Sequence, residues 1–284
     1  MYLEKELDRL IDTAIEEDIK SGDITSEVCI PDHAVISGRF ILKQAGVLAG
    51  LPILKMLFDK LNPEIEITLY EEEGSFHKAG TIFAKVSGPA RGILTGERIA
   101  LNLIQHASGV ASITKKYVRK LVGLQCEVLD TRKTLPGLRA LEKYAVNIGG
   151  GTNHRFSLDD RFIIKRNHLY FLAGSTRTPI KDSVQRVRKR NPDLAIEVEI
   201  DDIKQLPEAL ETEAGAIMLS RMTPNTIRQC VKQIRNTDKK VYVESLGTIT
   251  LDTIRAYGET GVDGISIGSL THSVEALDIV MRLK

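Results

Sequence analysis

The chain has few of the residues that build disulfide frameworks or that stack on nucleic-acid bases. Its 284 residues include 3 cysteines, no tryptophan and only 5% aromatic residues. Cys29, Cys126 and Cys230 are odd in number and widely spaced, so they form neither a disulfide framework nor a metal-ligand pattern, and a reducing cytoplasm is expected. The scarcity of aromatic side chains argues against binding of single-stranded nucleic acid by base stacking.

An excess of one charge and a long apolar run are also missing. The 39 Lys+Arg and 38 Asp+Glu residues give a net charge of +1, which excludes a dedicated duplex-binding protein. The longest apolar stretch, around residues 47–58, is interrupted by Gly50, Pro52 and Lys55, so no membrane span is predicted. The acidic first 20 residues are typical of an amphipathic helix rather than a signal peptide. Any functional positive charge must therefore be local.

The spacing of apolar residues changes near residue 125. Before it, an opening helix and alternating strands lead into a long helical stretch over residues 94–121. After it, short apolar runs alternate about six times with helical stretches, and the last of these, VEALDIVMRL, is predicted to be a helix. This alternation indicates a parallel sheet covered by helices, as in an α/β barrel with fewer than eight units. An open doubly wound sheet is the structural alternative.

Polar residues follow the predicted strands where each strand ends. Because the carboxyl ends of barrel strands meet at one rim, these side chains are expected to line a single site. Most of them are cationic, and clustered positive charges favour an anionic ligand that carries carboxylates or phosphates. The alternative for any one of them is an ordinary solvated surface. The cations near this rim are Arg132, Lys133, His154, Arg155, Lys165 and Arg166.

Two glycine-containing segments also suggest anion binding. Gly149–Gly151 precede His154 and Arg155, so backbone amides are offered next to cations, although such a triplet is equally typical of a helix C-terminus. No Walker A spacing follows it. At the last predicted strand, Gly268 precedes Thr271, His272 and Ser273, an arrangement that is typical of a phosphate site near a helix start.

One long segment resembles a known family. LDTRKTLPGLRALEKYAVNIGGGTNHR (residues 129–155) resembles the signature of the quinolinate phosphoribosyltransferase family, also called the nicotinate-nucleotide pyrophosphorylases. The pieces GERIALNLIQHASGVAS, IKRNH, IEVEI, TGVDGISIG and LTHS occur in the family's order. The opening EEDIKSGDITSE is similar as well, so the resemblance covers nearly the whole chain.

The resemblance implies a fold, an assembly and a reaction. It implies an N-terminal α/β sandwich domain (residues 1–112), a TIM-like α/β barrel (113–272) and a C-terminal helix (273–284) that returns towards the first domain. It implies a homodimer, or a higher homo-oligomer, whose sites are shared between subunits. The implied reaction joins quinolinate to phosphoribosyl pyrophosphate with loss of pyrophosphate and CO2, giving nicotinate mononucleotide. Mg2+ would accompany the pyrophosphate, with no metal held by the protein itself.

The resemblance also assigns roles to individual residues. Arg98 would reach the quinolinate of the neighbouring subunit, and Arg132, His154 and Arg155 would hold its carboxylates. Lys133, Lys165 and Glu199 would be catalytic, with Glu199 near the ribose. The remaining substrate-binding positions are Thr131, Ser220, Ser245, Leu246, Gly247, Gly268 and His272.

The sequence departs from the family pattern only on the donor side. Lys-Asp-Asn-His of the pattern becomes Lys-Arg-Asn-His, Leu-Asp-Asn becomes Leu-Ser-Arg, and Glu-Ala/Ser-Ser-Gly-Gly becomes Glu-Ser-Leu-Gly-Thr. Three interpretations are open: a working quinolinate phosphoribosyltransferase with a compensated donor site, an enzyme of the same fold with an altered donor or acceptor, and a non-catalytic anion-binding dimer partner. The departing positions are Arg166, Ser220, Arg221, Leu246 and Thr248.

Overall fold

The computed structural model describes residues 2–284, with the side chain of Tyr2 excepted. These residues divide into two units. No helix within this range is both long enough and apolar enough to cross a membrane. The first unit comprises the residues up to Lys115 together with Lys133–Gly151 and Ser269–Lys284, and the second comprises Lys116–Arg132 and Thr152–Gly268.

The first unit contains an antiparallel sheet of four strands in the order β12-β1-β5-β3, and a small two-stranded sheet of β2 and β4. Its helices are α1 (Tyr2–Ile19), α2 (Ile24–Cys29), α3 (Leu51–Leu61), α4 (Ala90–Lys120, whose last residues belong to the second unit), α5 (Arg139–Ile148) and α11 (Ser269–His272). Its strands are β1 (Val35–Leu42), β2 (Gly46–Val47), β3 (Glu66–Leu69), β4 (Phe76–His77), β5 (Ile82–Pro89) and β12 (Ile279–Leu283).

The alternation of apolar residues predicts this sheet. Along β1, Phe40 and Leu42 are fully buried while Arg39 and Ile41 are partly exposed, as expected of a strand with one face on the core. The Phe40 ring lies against Phe83 of β5, with the ring centroids 6.0 Å apart. The predicted long helix over 94–121 is confirmed as α4.

The prediction of a helix over residues 273–284 is wrong. Its second half is strand β12, which pairs antiparallel with β1 and so returns to the N-terminal sheet, with Gly38 opposite Leu283 and Leu42 opposite Ile279. Ile279 and Met281 are buried and Arg282 is exposed, which is a strand alternation. The segment's pattern also fits a helix, but the unpaired edge of β1 supplies hydrogen-bond partners that only a strand can use.

The second unit contains one parallel sheet of six strands in the order β6-β11-β10-β9-β8-β7, flanked by helices. This confirms the predicted α/β class with fewer than eight strand–helix units. The strands are β6 (Glu127–Leu129), β7 (Phe162–Ile164), β8 (Ile196–Ile200), β9 (Ala216–Ser220), β10 (Tyr242–Leu246) and β11 (Gly264–Ser266). The helices are α6 (Arg166–Ala173), α7 (Pro179–Arg190), α8 (Leu206–Leu210, after a short 3-10 turn), α9 (Pro224–Arg235) and α10 (Ile254–Gly258).

Candidate active site

The register of the parallel strands decides which side chains share a face. Glu199 of β8 pairs with Met218 of β9, and Met218 pairs with Glu244 of β10. Side chains at paired positions of adjacent parallel strands point to the same face, and those of the next residues point to the other. Glu199 and Glu244 therefore project from one face of the sheet, which we call the polar face.

A cluster of buried charges lies on the polar face. We call His154, Glu197 and Glu244 the histidine cluster. His154 Nε2 lies 3.1 Å from Glu244 Oε2 and 3.3 Å from Glu197 Oε2, and all three side chains are buried. Ser266 of β11 donates a hydrogen bond to the other Glu244 oxygen. β9 separates β8 from β10, so the imidazole joins carboxylates of two strands that are not adjacent.

The loop that carries His154 is held by a buried carboxylate. Asp130, directly after β6, accepts hydrogen bonds from the backbone N–H of His154 at 2.9 Å and from the amide of Asn153 at 2.6 Å. Thr152 extends the sheet by one bridge to Leu129. The segment between the glycine triplet and Arg155 is therefore anchored on the end of β6, which orients His154 towards the two glutamates.

Burial and opposite charges act against each other in the histidine cluster. Burial alone would lower the pKa of His154, but the hydrogen bonds and charges of Glu197 and Glu244 outweigh it and raise that pKa to about 9. Burial would raise the pKa of Glu197, but the neighbouring imidazolium keeps it below its usual range. Burial raises the pKa of Glu244. His154 is therefore a cation at neutral pH.

Two neighbouring arginines lie next to the histidine cluster. Burial, followed by the nearby charge of Arg132, lowers the pKa of Arg155. Arg155 Nη1 donates to the backbone carbonyl of Arg161 at 3.0 Å, and Arg132 Nε is buried without a hydrogen-bond partner among residues 2–284. Two neighbouring guanidinium groups repel each other, and planar forks of this kind bind carboxylates in bidentate fashion. This pair is suited to an anionic ligand.

A cavity of about 460 Å³ lies at the amino ends of the parallel strands of the second unit. It is lined by Glu127, Ile196, Ala216 and Tyr242, the first residues of β6, β8, β9 and β10, and it reaches the histidine cluster. The cluster therefore lies between this cavity and the carboxyl ends of the strands, where the sites of parallel barrels are found.

The comparison with protein families decides the identity of the chain. The model of the quinolinate phosphoribosyl transferase N-terminal domain matches residues 23–108, and that of the C-terminal domain matches residues 110–282. The chain belongs to the quinolinate phosphoribosyltransferase family. The resemblance of the 129–155 segment to this family is thereby confirmed.

Relatives in this family match over nearly their whole length. The chain is 40% identical to a probable nicotinate-nucleotide pyrophosphorylase of Bacillus subtilis, over 97% of this chain and 93% of the relative. It is 37% identical to the Mycobacterium leprae nicotinate-nucleotide pyrophosphorylase, over 100% of both. The solved structure of the Francisella tularensis nicotinate-nucleotide pyrophosphorylase matches with a TM-score of 0.90 at 32% identity, covering 99% of this chain and 96% of that one.

The second unit of this quinolinate phosphoribosyltransferase family member brings together part of the expected site. Glu199, Ser220 and Leu246 share the polar face with Glu244, and the same alternation places Lys165 beyond Ile163 of β7 on that face. The side chain of Ser245 lies on the opposite face, buried and with its hydroxyl unpartnered among the described residues. The expected residues in the second unit are Thr131, Arg132, His154, Arg155, Lys165, Glu199, Ser220, Ser245, Leu246, Gly247 and Gly268.

Three expected residues belong to the first unit. Arg98 is exposed on α4, and His272 is exposed at the end of α11, with its Nδ1 2.7 Å from Ser273 Oγ. Lys133 is exposed, and its carbonyl accepts a hydrogen bond of 2.8 Å from Thr271 Oγ1. The structure thus brings Lys133 and α11 together within this unit.

The residues that anchor the site are not evident from the sequence pattern. Asp130, Asn153 and Ser266 position the histidine cluster, and neither their spacing nor that of Glu197 and Glu244 predicts these contacts. The sequence does contain a signal for the glutamates, since Glu197, Glu199 and Glu244 interrupt the otherwise apolar strand runs IEVEI and VYVES. A glutamate at such a position must be paired if it is buried.

Proposed function

We propose that this chain transfers the phosphoribosyl group of phosphoribosyl pyrophosphate to quinolinate, with decarboxylation to nicotinate mononucleotide. The observation that carries the proposal is the pair of neighbouring guanidinium groups of Arg132 and Arg155 beside the cationic His154, since Arg155 is buried and the buried Arg132 Nε has no hydrogen-bond partner among residues 2–284. Quinolinate carries two carboxylates on one flat ring, and planar guanidinium forks match carboxylates. The names of the relatives, which are nicotinate-nucleotide pyrophosphorylases, support the same activity.

The charged residues of this site have distinct roles in the proposed reaction. The quinolinate ring nitrogen attacks C1′ of the ribose, and the C1′–O bond breaks with its electron pair leaving on pyrophosphate. The ribose becomes positive as this bond breaks, and the Glu199 carboxylate on the polar face is the group that would stabilise it. In the next step the bond to the carboxyl carbon at C2 breaks, CO2 leaves, and C2 takes a proton. Lys165 and Lys133 would balance the negative charge of the departing pyrophosphate.

Magnesium would enter with the donor rather than on a protein site. Within residues 2–284, the one group of three His, Cys, Asp or Glu side chains with converging ligand atoms is the histidine cluster. Its imidazole is cationic at neutral pH and already bridges both carboxylates, so these residues do not fit a resident divalent cation. Any Mg2+ would be bound through the oxygens of phosphoribosyl pyrophosphate.

The proposal includes an assembly and a location. Arg98 is exposed on its own unit, and we infer a homodimer in which Arg98 completes the site of the partner subunit. We also place the protein in the cytoplasm, as the three unpaired cysteines suggest. Mixing the impaired variants R98A and R132A tests the shared site. If Arg98 acts across the interface, each exchanged heterodimer has one intact site of two, so an equimolar mixture, of which about half is heterodimer, would regain about a quarter of the wild-type activity.

The activity is tested with the wild type and one matched pair of variants. Purified protein supplied with quinolinate, phosphoribosyl pyrophosphate and Mg2+ is expected to release pyrophosphate and CO2 in equal amounts. R132A is expected to raise the Kd for quinolinate roughly 30-fold or more, because a desolvated charged hydrogen bond contributes about 2 kcal/mol. R132K keeps the charge but loses the fork, so it should recover only part of the affinity.

Calorimetry with quinolinate gives the affinities, and a pyrophosphate-release assay gives the turnover. R228A, an exposed arginine on α9, is the control and should bind quinolinate as the wild type does. Absence of turnover by the wild type would refute the proposal. Equal quinolinate affinity in R132A and R228A would remove Arg132 from the binding site.

A further inference from the structure

Three charged residues follow three neighbouring strands at their carboxyl ends. Arg166 begins α6 after β7, Asp201 follows β8, and Arg221 follows β9. We call these three residues the arginine rim. Arg166 Nη1 and Arg221 Nη2 both donate to the same oxygen, Asp201 Oδ2, at 3.5 and 3.3 Å. The two arginine side chains are 62% and 60% exposed, whereas the Asp201 side chain is 25% exposed.

The backbone holds Arg221 in a conformation that is rare for its residue type. Its φ angle is 56°, in the left-handed region that costs a side chain about 1 kcal/mol or more. The Arg221 N–H donates to the carbonyl of Leu246, the last residue of β10, at 2.8 Å. This hydrogen bond fixes the start of the Arg221 side chain between the ends of β9 and β10. One arginine of the rim is therefore anchored, although its guanidinium is exposed.

The charges of the rim suit an anion and oppose a metal ion. Two guanidinium groups and one carboxylate leave a net charge of +1, and Lys165 precedes Arg166 directly. Both contacts with Asp201 are at the long end of the hydrogen-bond range, so each guanidinium has donors to spare for a further acceptor. A divalent cation on Asp201 would have to displace two arginines and would then be repelled by them. The rim does not fit a protein-held metal.

We propose that Arg166 and Arg221 bind the pyrophosphate group of the donor directly and so reduce its need for a divalent cation. The inference rests on the proposed function, since it places the donor at the carboxyl ends of these strands. Mg2+ serves such donors by neutralising adjacent phosphates, and two guanidinium forks supply the same neutralisation with directed hydrogen bonds. Asp201 is the resting partner of both arginines, and the incoming phosphate oxygens replace it.

Calorimetry with inorganic pyrophosphate tests the proposal without requiring turnover. The wild type is expected to bind pyrophosphate in EDTA with a Kd within about threefold of its Kd in Mg2+. R166A/R221A is expected to bind at least tenfold more weakly in EDTA, since each arginine contributes a charged hydrogen bond. R190A/R228A removes two exposed arginines of α7 and α9 and should bind as the wild type does. The milder R166Q/R221Q should match R166A/R221A, which separates lost charge from altered packing.

The variant D201N is expected to strengthen pyrophosphate binding, whereas R166A/R221A is expected to weaken it. Without the carboxylate, the two arginines lose their resting anion, so pyrophosphate in EDTA should bind about three- to tenfold more tightly. If Asp201 instead held a metal that bridged to the donor, D201N would weaken binding in Mg2+. Pyrophosphate binding by the wild type that requires Mg2+, or that is equal in R166A/R221A and the wild type, would overturn the proposal.

Failure of the inference and failure of the proposed function are distinguishable. Turnover of quinolinate with a strict Mg2+ requirement, unchanged in R166A/R221A, refutes the arginine rim as a donor site and leaves the function intact. Binding of pyrophosphate in EDTA that depends on both arginines, without any turnover of quinolinate, supports the rim and refutes the function. A Mg2+ titration of kcat/KM separates these outcomes, and the expected result is a shallower dependence in the wild type than in R166A/R221A.

Discussion

The histidine cluster and the arginine rim have opposite arrangements of charge. In the cluster one buried cation, His154, lies between two buried carboxylates, and in the rim one carboxylate, Asp201, lies between two exposed cations. Burial makes the first arrangement obligatory, because a charge removed from water must keep its partners. Exposure leaves the second arrangement free to exchange its partners, because water and salt compete for every contact. Similar pairings can therefore serve structure in one place and ligand exchange in another.

The largest expected effect comes from removing the central cation of the cluster. H154L leaves Glu197 and Glu244 buried without their shared partner and should lower the free energy of unfolding at pH 7.5 by about 3–5 kcal/mol. Part of this loss should return at pH 5, where the carboxylates take up protons more readily. Urea denaturation at the two pH values measures both effects. H272L, at an exposed histidine, is the control, and an equal stability of the two variants would mean that the cluster does not depend on its cation.

The pH dependence of the wild type sharpens the same comparison. The pKa of His154 is raised from 6.5 to about 9 in the folded state, so the folded state favours the proton. Its stabilisation is complete below about pH 6.5 and is lost as the pH rises through about 9. The free energy of unfolding should fall by roughly 1–3 kcal/mol between pH 6.5 and 9.5. H154L should lack most of this fall, and a parallel decline in both proteins would assign it to other groups.

The smallest expected effect concerns the backbone of the rim. Arg221 lies at a φ of 56°, which glycine adopts without strain and alanine does not. R221G should therefore be more stable than R221A by about 1 kcal/mol, as measured by thermal or urea unfolding. R166A, at an exposed position with ordinary backbone, should change stability by less than about 0.5 kcal/mol. An R221A protein as stable as R221G would show that the left-handed backbone is not maintained.

Much of the second unit was predictable because its strands carry strong local patterns. The strand runs CEVLD, FIIK, IEVEI, AIMLS, VYVES and GISIG correspond to β6–β11 in order, and the sheet is parallel as expected. The segment from Gly149 to Arg155 was also recognisable as part of the family signature, and Gly149 ends α5, which is one of the two expectations for the glycine triplet. These features depend on neighbours within a few residues, which the sequence displays directly.

Residue spacing could not show the contacts between distant strands. His154 and Glu244 are 90 positions apart, and their distance of 3.1 Å follows from the place of β10 in the sheet and from Asp130 holding the His154 loop. The prediction of a helix over residues 273–284 is wrong for the same reason. Its pattern fits a helix, and the free edge of β1 makes it a strand. Ser245 is a third case, since its register with Leu219 directs it away from the polar face.

The sequence by itself determined the class of the fold, the family and the kinds of charge at the strand ends. Those properties follow from periodicity and from a long signature, and both are local in the chain. Only the tertiary structure decided which charges are buried, which share a face and which partners they take. Burial and pairing set the free energy of a charge, and both depend on residues that are remote in sequence. The near-balance of 39 basic and 38 acidic residues hides these local arrangements, in which one cation is held between two anions and one anion is shared by two cations.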